Sequence, residues 1–324
     1  MSRAARPWLA PLVPLYRLAV GLRAWRLEHG WERVERLGWP VVSVGNLSAG
    51  GAGKTPFTIA LAQALTRRGV PVDVLSRGYG RTSQSPARVD PEGSPETFGD
   101  EPLLIARATG APVYVAPRRY DAGSLAELDQ NKKKIHLLDD GFQHRQLERD
   151  LNLLLVSRVD LEDALLPAGN LREPLTGLGR ASVVVVPAED AEIESRLQVL
   201  GWKGPVWRIR RRMEVPALAG PVVAFCGIAR PEQFFSGLEK NGVKVAARKV
   251  FRDHRPYREA DIGALSALAG QHQAELLTTE KDAVRMGPLA EKFSVPLHTA
   301  PLITEIEDEA AGIDWLLGQL KSEK

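Results

Sequence analysis

Short apolar runs recur along the first 186 residues, at 40–44, 70–75, 112–116, 135–138, 151–156 and 182–186. They are largely continuous rather than alternating, the pattern of strands buried on both faces of a parallel sheet. Helical spacing fills the intervals between them. After the first run, Ile59, Leu61, Ala62 and Leu65 share a face, and Arg67, Arg68 and the stop glycine Gly69 close the helix. Strand and helix in alternation predict an α/β fold, a parallel sheet flanked by helices. A shorter series follows a basic run at 208–212 and a Pro-, Ala- and Gly-rich stretch at 215–221. It has apolar runs at 221–226, 243–251 and 274–278, with helices starting near Glu232 and spanning 261–269. The expected organisation is a distinct segment at 1–27, a core at 28–212, a linker at 213–220 and a second, smaller α/β domain at 221–324.

The turn after the first run carries chemistry. Residues 45–55 read GNLSAGGAGKT. Strand, glycine loop, Lys-Thr and helix follow the order of a P-loop NTPase phosphate cradle. Loop amides and the helix N-terminus bind phosphate oxygens, the lysine reaches the β/γ-phosphates and the threonine hydroxyl holds magnesium. Ser48, Ala49, Gly50, Gly51, Ala52, Gly53, Lys54 and Thr55 are therefore the candidate nucleotide-binding residues. Ser48 stands where the strict pattern G-x-x-x-x-G-K-[ST] has its first glycine. A plain glycine turn would leave Lys54 and Thr55 at the helix start unexplained.

Ligands of parallel sheets gather at the carboxyl ends of the strands, which directs attention to the residues after each run. Residues 76–81 (SRGYGR) carry Arg77 and Arg81 in a glycine-broken loop. Asp139 and Asp140 end the run 135–138. An acid there resembles a Walker B element, which orders magnesium and its waters, although aspartates also start turns. Asp100 and Glu101 open a helix pattern, where acids serve as caps and dipole partners. Arg118-Arg119 and Arg172 lie in loops and are candidates for binding an anionic group of an acceptor. Asp253-His254, after the run 243–251, is a candidate acid–base pair facing the nucleotide across a cleft. No guanine signature is present: residues 131–134 (NKKK) lack the aspartate of N-K-x-D, and 279–282 (TEKD) have the wrong order. Adenine is the expected base.

With 44% hydrophobic and 26% charged residues in 324, the chain has material for real cores, which excludes disordered, collagen-like and disulfide-stapled classes. A single cysteine, Cys226, permits neither an internal disulfide nor a cysteine metal cluster and fits a reducing compartment. The net charge of +3 invites a nucleic-acid reading, but its distribution argues for no nucleic acid. Residues 1–27 hold Arg3, Arg6, Arg17, Arg23 and Arg26 with no acid, so the rest of the chain carries −2. The three prolines at 7–14 forbid a regular α-helix there. After Pro14, Leu15, Leu18, Ala19, Leu22 and Trp25 share a helical face. Two readings stay open: a monotopic anchor on an anionic membrane surface, or a helix packed on the protein's own core.

Eight segments taken in order, GNLSAGGAGKTP (45–56), SRGYGR (76–81), GDEPLL (99–104), DDGFQH (139–144), LPAGNLREP (166–174), FCGIARPEQF (225–234), DHRPY (253–257) and TEKDAVR (279–285), resemble the motifs of the tetraacyldisaccharide 4′-kinases, the lipid A kinases of Gram-negative bacteria. The resemblance spans about residues 8–285, and the family's loop also lacks the first glycine. It implies an ATP- and Mg2+-dependent kinase that phosphorylates the 4′-hydroxyl of a lipid A disaccharide precursor, a tetraacyldisaccharide 1-phosphate. It places this activity at the cytoplasmic face of the bacterial inner membrane. Carried over by motif, Asp100 activates the acceptor hydroxyl with His254 as its partner, Lys54 serves the transferred phosphoryl group, and Thr55, Asp139 and Asp140 hold magnesium. Arg119 and Arg172 meet the acceptor's phosphate. One departure is Arg255, where the family commonly continues with a second histidine. The alternatives are a deviant P-loop ATPase, whose signature lysine position is here Ala49, and a nucleotide-binding module without lipid kinase activity.

Overall fold

The computed structural model describes residues 6–129 and 132–322. Arg3 of the basic segment and Asn131 lie outside the described residues.

Among the described residues, thirteen strands form two sheets. The larger is built from β1 (Val41–Asn46), β2 (Val72–Ser76), β3 (Ala87–Arg88), β4 (Val113–Val115), β5 (Ile135–Leu138), β6 (Leu151–Leu155), β7 (Val183–Pro187), β8 (Val206–Met213) and β13 (Leu302–Ile306), with β9 (Val222–Cys226), β10 (Val245–Val250), β11 (Glu275–Thr278) and β12 (Leu297–Thr299) making the smaller. The spatial orders are β13-β8-β7-β6-β1-β5-β2-β4-β3 and β10-β9-β11-β12. Every pairing is parallel except β3–β4 and β13–β8 at the two edges of the large sheet.

The continuous apolar runs are explained by burial on both faces. Along β6 and β7, Leu153, Leu155, Val183 and Val185 join the core beneath helix Lys54–Arg67, whereas Leu154, Val156, Val184 and Val186 join the core on the opposite face. In the smaller sheet Val223, Phe225 and Leu276 face one core and Val222, Ala224 and Leu277 the other.

Two segments differ from the sequence reading. The basic run 208–212 is part of strand β8, whose Trp207 and Ile209 are buried while Arg208 and Arg210 point outward to Glu194 and Glu307. The end of the chain also leaves the smaller sheet: β13 pairs antiparallel with β8, and helix Glu309–Ser322 places Ile313 and Leu316 in the core of the large sheet. The expected span 221–324 thus divides near residue 300, because Ile306, Ile313 and Leu316 bury more completely against the large sheet than a free tail would allow.

The N-terminal segment begins as a 3-10 turn, Pro7–Leu12, and continues as helix Val13–Glu28, in which Leu27 is the buried residue. Leu15, Leu18, Leu22 and Trp25 are 67%, 68%, 55% and 42% exposed, so the apolar face does not pack on the protein's own core.

Candidate functional site

Adjacent strands β1, β5, β2 and β4 deliver their carboxyl ends to one edge of the sheet, and the candidate residues converge there. The loop after β1 folds over itself. Asn46 Nδ2 donates to Ser48 Oγ at 2.9 Å, and Lys54 Nζ donates to Asn46 Oδ1 at 2.8 Å. Ala49 N donates to Asn170 O and Arg172 N to Leu47 O, so the 166–174 segment backs the loop. Gly53, at φ +78°, turns the chain into helix Lys54–Arg67, where an L-side chain is strained. A Cβ there would also lie 2.6 Å from the Arg211 guanidinium, whose Nη2 donates to Ala52 O at 2.7 Å. The loop therefore presents a helix N-terminus and a lysine, the groups a polyphosphate needs.

Asp139 and Asp140 follow β5. Thr58 Oγ1, in the helix after the loop, donates to Asp139 Oδ1 at 3.2 Å. Asp140 lies 3.4 Å from Lys54 Nζ and takes both carboxylate contacts of Arg172 Nη1 at 3.1 Å. The two carboxyls behave oppositely. Burial, with Glu101 and Asp140 nearby, pushes Asp139 up to about 7. Burial also acts on Asp140, but Lys54 and Arg172 hold its carboxyl below the ordinary value. Asp140 adopts φ +50°, one of four non-glycine residues with positive φ among the described residues; His254, at +57°, is another. Such strain concentrates where a side chain must be aimed.

Arg119 is buried after β4 and donates to Asp139 O at 3.3 Å, while its Nε has no hydrogen-bond partner among the described residues. Burial pushes its guanidinium down to about 10, against the pull of Asp140 and Asp139. An incompletely satisfied buried guanidinium is suited to an incoming anion. Its backbone N–H donates to His144 Nε2 at 3.4 Å, and burial with the adjacent Arg119 and Arg149 lowers His144 to about 4.

The smaller sheet supplies the other wall. Ala229 Cβ stands 3.8 Å from the Cβ positions of Gly50 and Gly51. Asp100 opens helix Asp100–Thr109 and is nearly buried; its Oδ2 lies 3.2 Å from His254 Nδ1 and accepts from Arg285 Nε and Nη2 at 3.1 and 2.9 Å. Burial alone would raise this carboxyl, but the hydrogen bond from His254 and the charges of Lys281 and Arg285 hold it well below the usual carboxylate range. Lys281 Nζ donates to Glu101 Oε1 at 2.9 Å and to His254 Nε2 at 3.3 Å, which leaves Nδ1 as the protonated nitrogen facing Asp100. Asp253, paired with His254 in the sequence reading, is the more distant acid at 3.8 Å.

The structure thus gathers Ser48 to Thr55, Asp139, Asp140, Arg119 and Arg172 at one strand edge and joins Asp100 to His254 across the two sheets. Sequence reasoning missed Asn46, Thr58, Gln143, Arg211, Lys281 and Arg285. Asn46, Gln143, which donates to Asn46 O and Glu173 Oε1, Lys281 and Arg285 all lay within quoted motifs, and their polarity at or after a strand end was the available signal. Among the described residues no group of three or more His, Cys, Asp or Glu is arranged to hold a metal. That donor set still suits magnesium, which takes one or two carboxylates and completes its octahedron with water and phosphate oxygens.

A model of the tetraacyldisaccharide-1-P 4′-kinase family matches residues 5–321. A tetraacyldisaccharide 4′-kinase of Koribacter versatilis is 40% identical over 319 residues, covering 95% of this chain and 97% of that protein. Its counterpart in Rhodospirillum rubrum is 44% identical over 262 residues, 78% of each. Among solved structures, LpxK from Aquifex aeolicus in complex with ATP superposes with a TM-score of 0.75 at 32% identity, covering 97% of this chain and 99% of that one.

Proposed function

The chain belongs to the tetraacyldisaccharide-1-P 4′-kinase family, and from that premise we propose that it transfers the γ-phosphoryl group of ATP to the 4′-hydroxyl of a tetraacyldisaccharide 1-phosphate, in lipid A biosynthesis. The observation that carries the reading is the contact of Asp100 with His254 at the junction of the two lobes, on the sheet edge that also holds the phosphate loop. A passive nucleotide-binding module has no use for that pair, and the family membership favours a sugar hydroxyl over water as the acceptor it serves.

A sugar hydroxyl is barely acidic, so Asp100 accepts its proton as the new O–P bond forms. The bond from the γ-phosphorus to its bridging oxygen breaks, and ADP leaves. His254 Nδ1 orients the carboxylate. Lys54 and the amides opening helix Lys54–Arg67 stabilise charge on the transferred group, so catalysis is chiefly positioning and electrostatics. Ser48 to Thr55 hold the triphosphate. Thr55, Asp139 and Asp140 would hold Mg2+, which when bound neutralises phosphate charge. The elevated Asp139 fits that role, since a cation favours its ionised form. Arg119 and Arg172 meet the acceptor's 1-phosphate. In this reading the core comprises 28–212 with the returning C-terminal segment, and the smaller lobe supplies His254.

The N-terminal segment extends the proposal to location. No helix among the described residues is long and apolar enough to cross a membrane. The exposed face of Leu15, Leu18, Leu22 and Trp25, with Trp8 and the arginines, supports peripheral or monotopic binding to an anionic surface, the cytoplasmic face of the inner membrane. Tyr16 Oη donates to Arg172 O at 2.8 Å, linking that helix to an acceptor-binding arginine.

Incubation with labelled ATP, magnesium and a tetraacyldisaccharide 1-phosphate should put label on the lipid. ATP hydrolysis with no labelled lipid would return the reading to an ATPase. Deleting residues 1–27 should release the protein from anionic liposomes, and continued sedimentation with them would place the anchor elsewhere.

A further inference from the structure

Arg285 lies in helix Glu280–Met286 of the smaller lobe, far along the chain from the phosphate loop, and no step above uses it. Its side chain is only 5% exposed, and that of Asp100 is 6%. Nε and Nη2 both reach Asp100 Oδ2, while Nη1 donates to Gly227 O at 2.8 Å and Asp282 Oδ1 at 3.0 Å. Asp282 is pinned in turn by Gly227 N at 3.0 Å, Tyr257 Oη at 2.9 Å and Thr279 Oγ1 at 2.6 Å. The guanidinium is thus held on one side before it meets Asp100 on the other.

We infer that Arg285 is a positioning residue for the general base: it captures one carboxylate oxygen of Asp100 and so assigns proton acceptance to the other. Arg285 Nε and Nη2 both donate to Oδ2, and His254 Nδ1 stands 3.2 Å from the same oxygen. The two guanidinium bonds already use the two lone pairs of that oxygen. Oδ1 receives one hydrogen bond among the described residues, from Glu101 N at 2.9 Å. The 4′-hydroxyl therefore gives its proton to Oδ1 as its oxygen bonds to the γ-phosphorus and the bond to the ADP oxygen breaks. The charged groups around Asp100 are Glu101 and Asp253 as acids and Lys281, Arg285 and His254 as donors, with the Tyr79 ring edge-on to His254. Removing Arg285 deletes the closest full charge, so the base becomes protonatable at a higher pH.

The inference rests on the kinase reading with Asp100 as base, and the test separates the two. Turnover is measured from pH 4.5 to 9 for wild type, Arg285→Met, Arg285→Lys and Asp100→Asn, with thermal melting for each. Arg285→Met should lower kcat by roughly 10²-fold while KM for ATP stays within about threefold, and should bring a new acid limb into the profile. Arg285→Lys, which keeps the charge but loses the fork, should recover about tenfold of kcat and move the limb back toward acid. If Arg285→Met melts early, the lysine variant carries the same test through its kcat and limb. A loss equal at every pH, or near-wild-type kcat, overturns the positioning role. Wild-type turnover of Asp100→Asn overturns instead the assignment of the base.

Discussion

Within the phosphate loop, Lys54 meets Asn46 eight positions back, and Asn46 meets Ser48 two positions on. At the lobe junction the equivalent contacts span the chain: Asp100 meets Arg285 across 185 positions, and Glu101 meets Lys281 across 180. The first cluster is assembled by a strand, a turn and a helix start, and the parallel sheet brings Asp139 and Asp140 beside it from the adjacent strand. The second exists only when two separately built sheets dock. A local site inherits the rigidity of the sheet edge, whereas a junction site is as well formed as the docking that makes it. The division leaves the phosphate loop complete within one sheet, whereas Asp100 draws its partners His254 and Arg285 from the other.

The largest expected effect tests the local half alone. Lys54→Ala should lower turnover by roughly 10³-fold, the scale of removing a preorganised electrostatic contact to the transferring group, with melting little changed. Turnover within tenfold of wild type would show that the loop does not hold the reacting phosphates. An intermediate effect concerns the strand-end cluster in acid. His144 is held near 4, against about 6.5 when unfolded. Its lowered value means that unfolding takes up a proton between those limits. Stability is therefore complete above about pH 6.5 and falls by a few kcal/mol toward pH 4. His144→Gln should flatten that part of the urea-midpoint profile; parallel profiles for variant and wild type would remove His144 as the source. The smallest effect probes the junction. Tyr257→Phe deletes the hydroxyl on Asp282, which keeps Gly227 N, Thr279 and Arg285, and should cost about 1 kcal/mol in urea unfolding. A loss of several kcal/mol would mean that the junction holds the lobes together more strongly than its hydrogen bonds imply.

The legibility of these parts in the sequence follows the same division. The run 40–44 appears as β1 at Val41–Asn46, and 135–138 appears as β5 at the same residues. Strands buried on both faces are written as unbroken apolar runs, and a glycine loop before Lys-Thr is written in consecutive residues. Strand β8 was hidden because it lies between an edge strand and the sheet, and its outward positions carry arginines that read as a basic run. Asp100 entered as a site residue through the resemblance, since an acid at a helix start has a sufficient explanation as a cap, whereas His254 was already a candidate after the run 243–251, with Asp253 rather than Asp100 as its partner. Arg285 closes the quoted segment 279–285, but a motif arginine in a seven-residue helix does not disclose that it will be buried against a carboxylate of the other lobe.

The N-terminal helix needed the structure for a different reason. Its apolar face suits a membrane and a protein core equally, and the exposure of Leu15, Leu18 and Leu22 excludes the second. The sequence by itself determined the alternation of strand and helix, the phosphate loop and the acids after β5, because each depends on residues that are neighbours or sit at a fixed period. Tertiary structure alone decided the return of β13 to the large sheet, the gathering of Arg285 and His254 at one oxygen of Asp100 and the side of the N-terminal helix left open. Those depend on which surfaces meet after the chain has crossed between lobes, and hydrophobic periodicity carries no record of that choice.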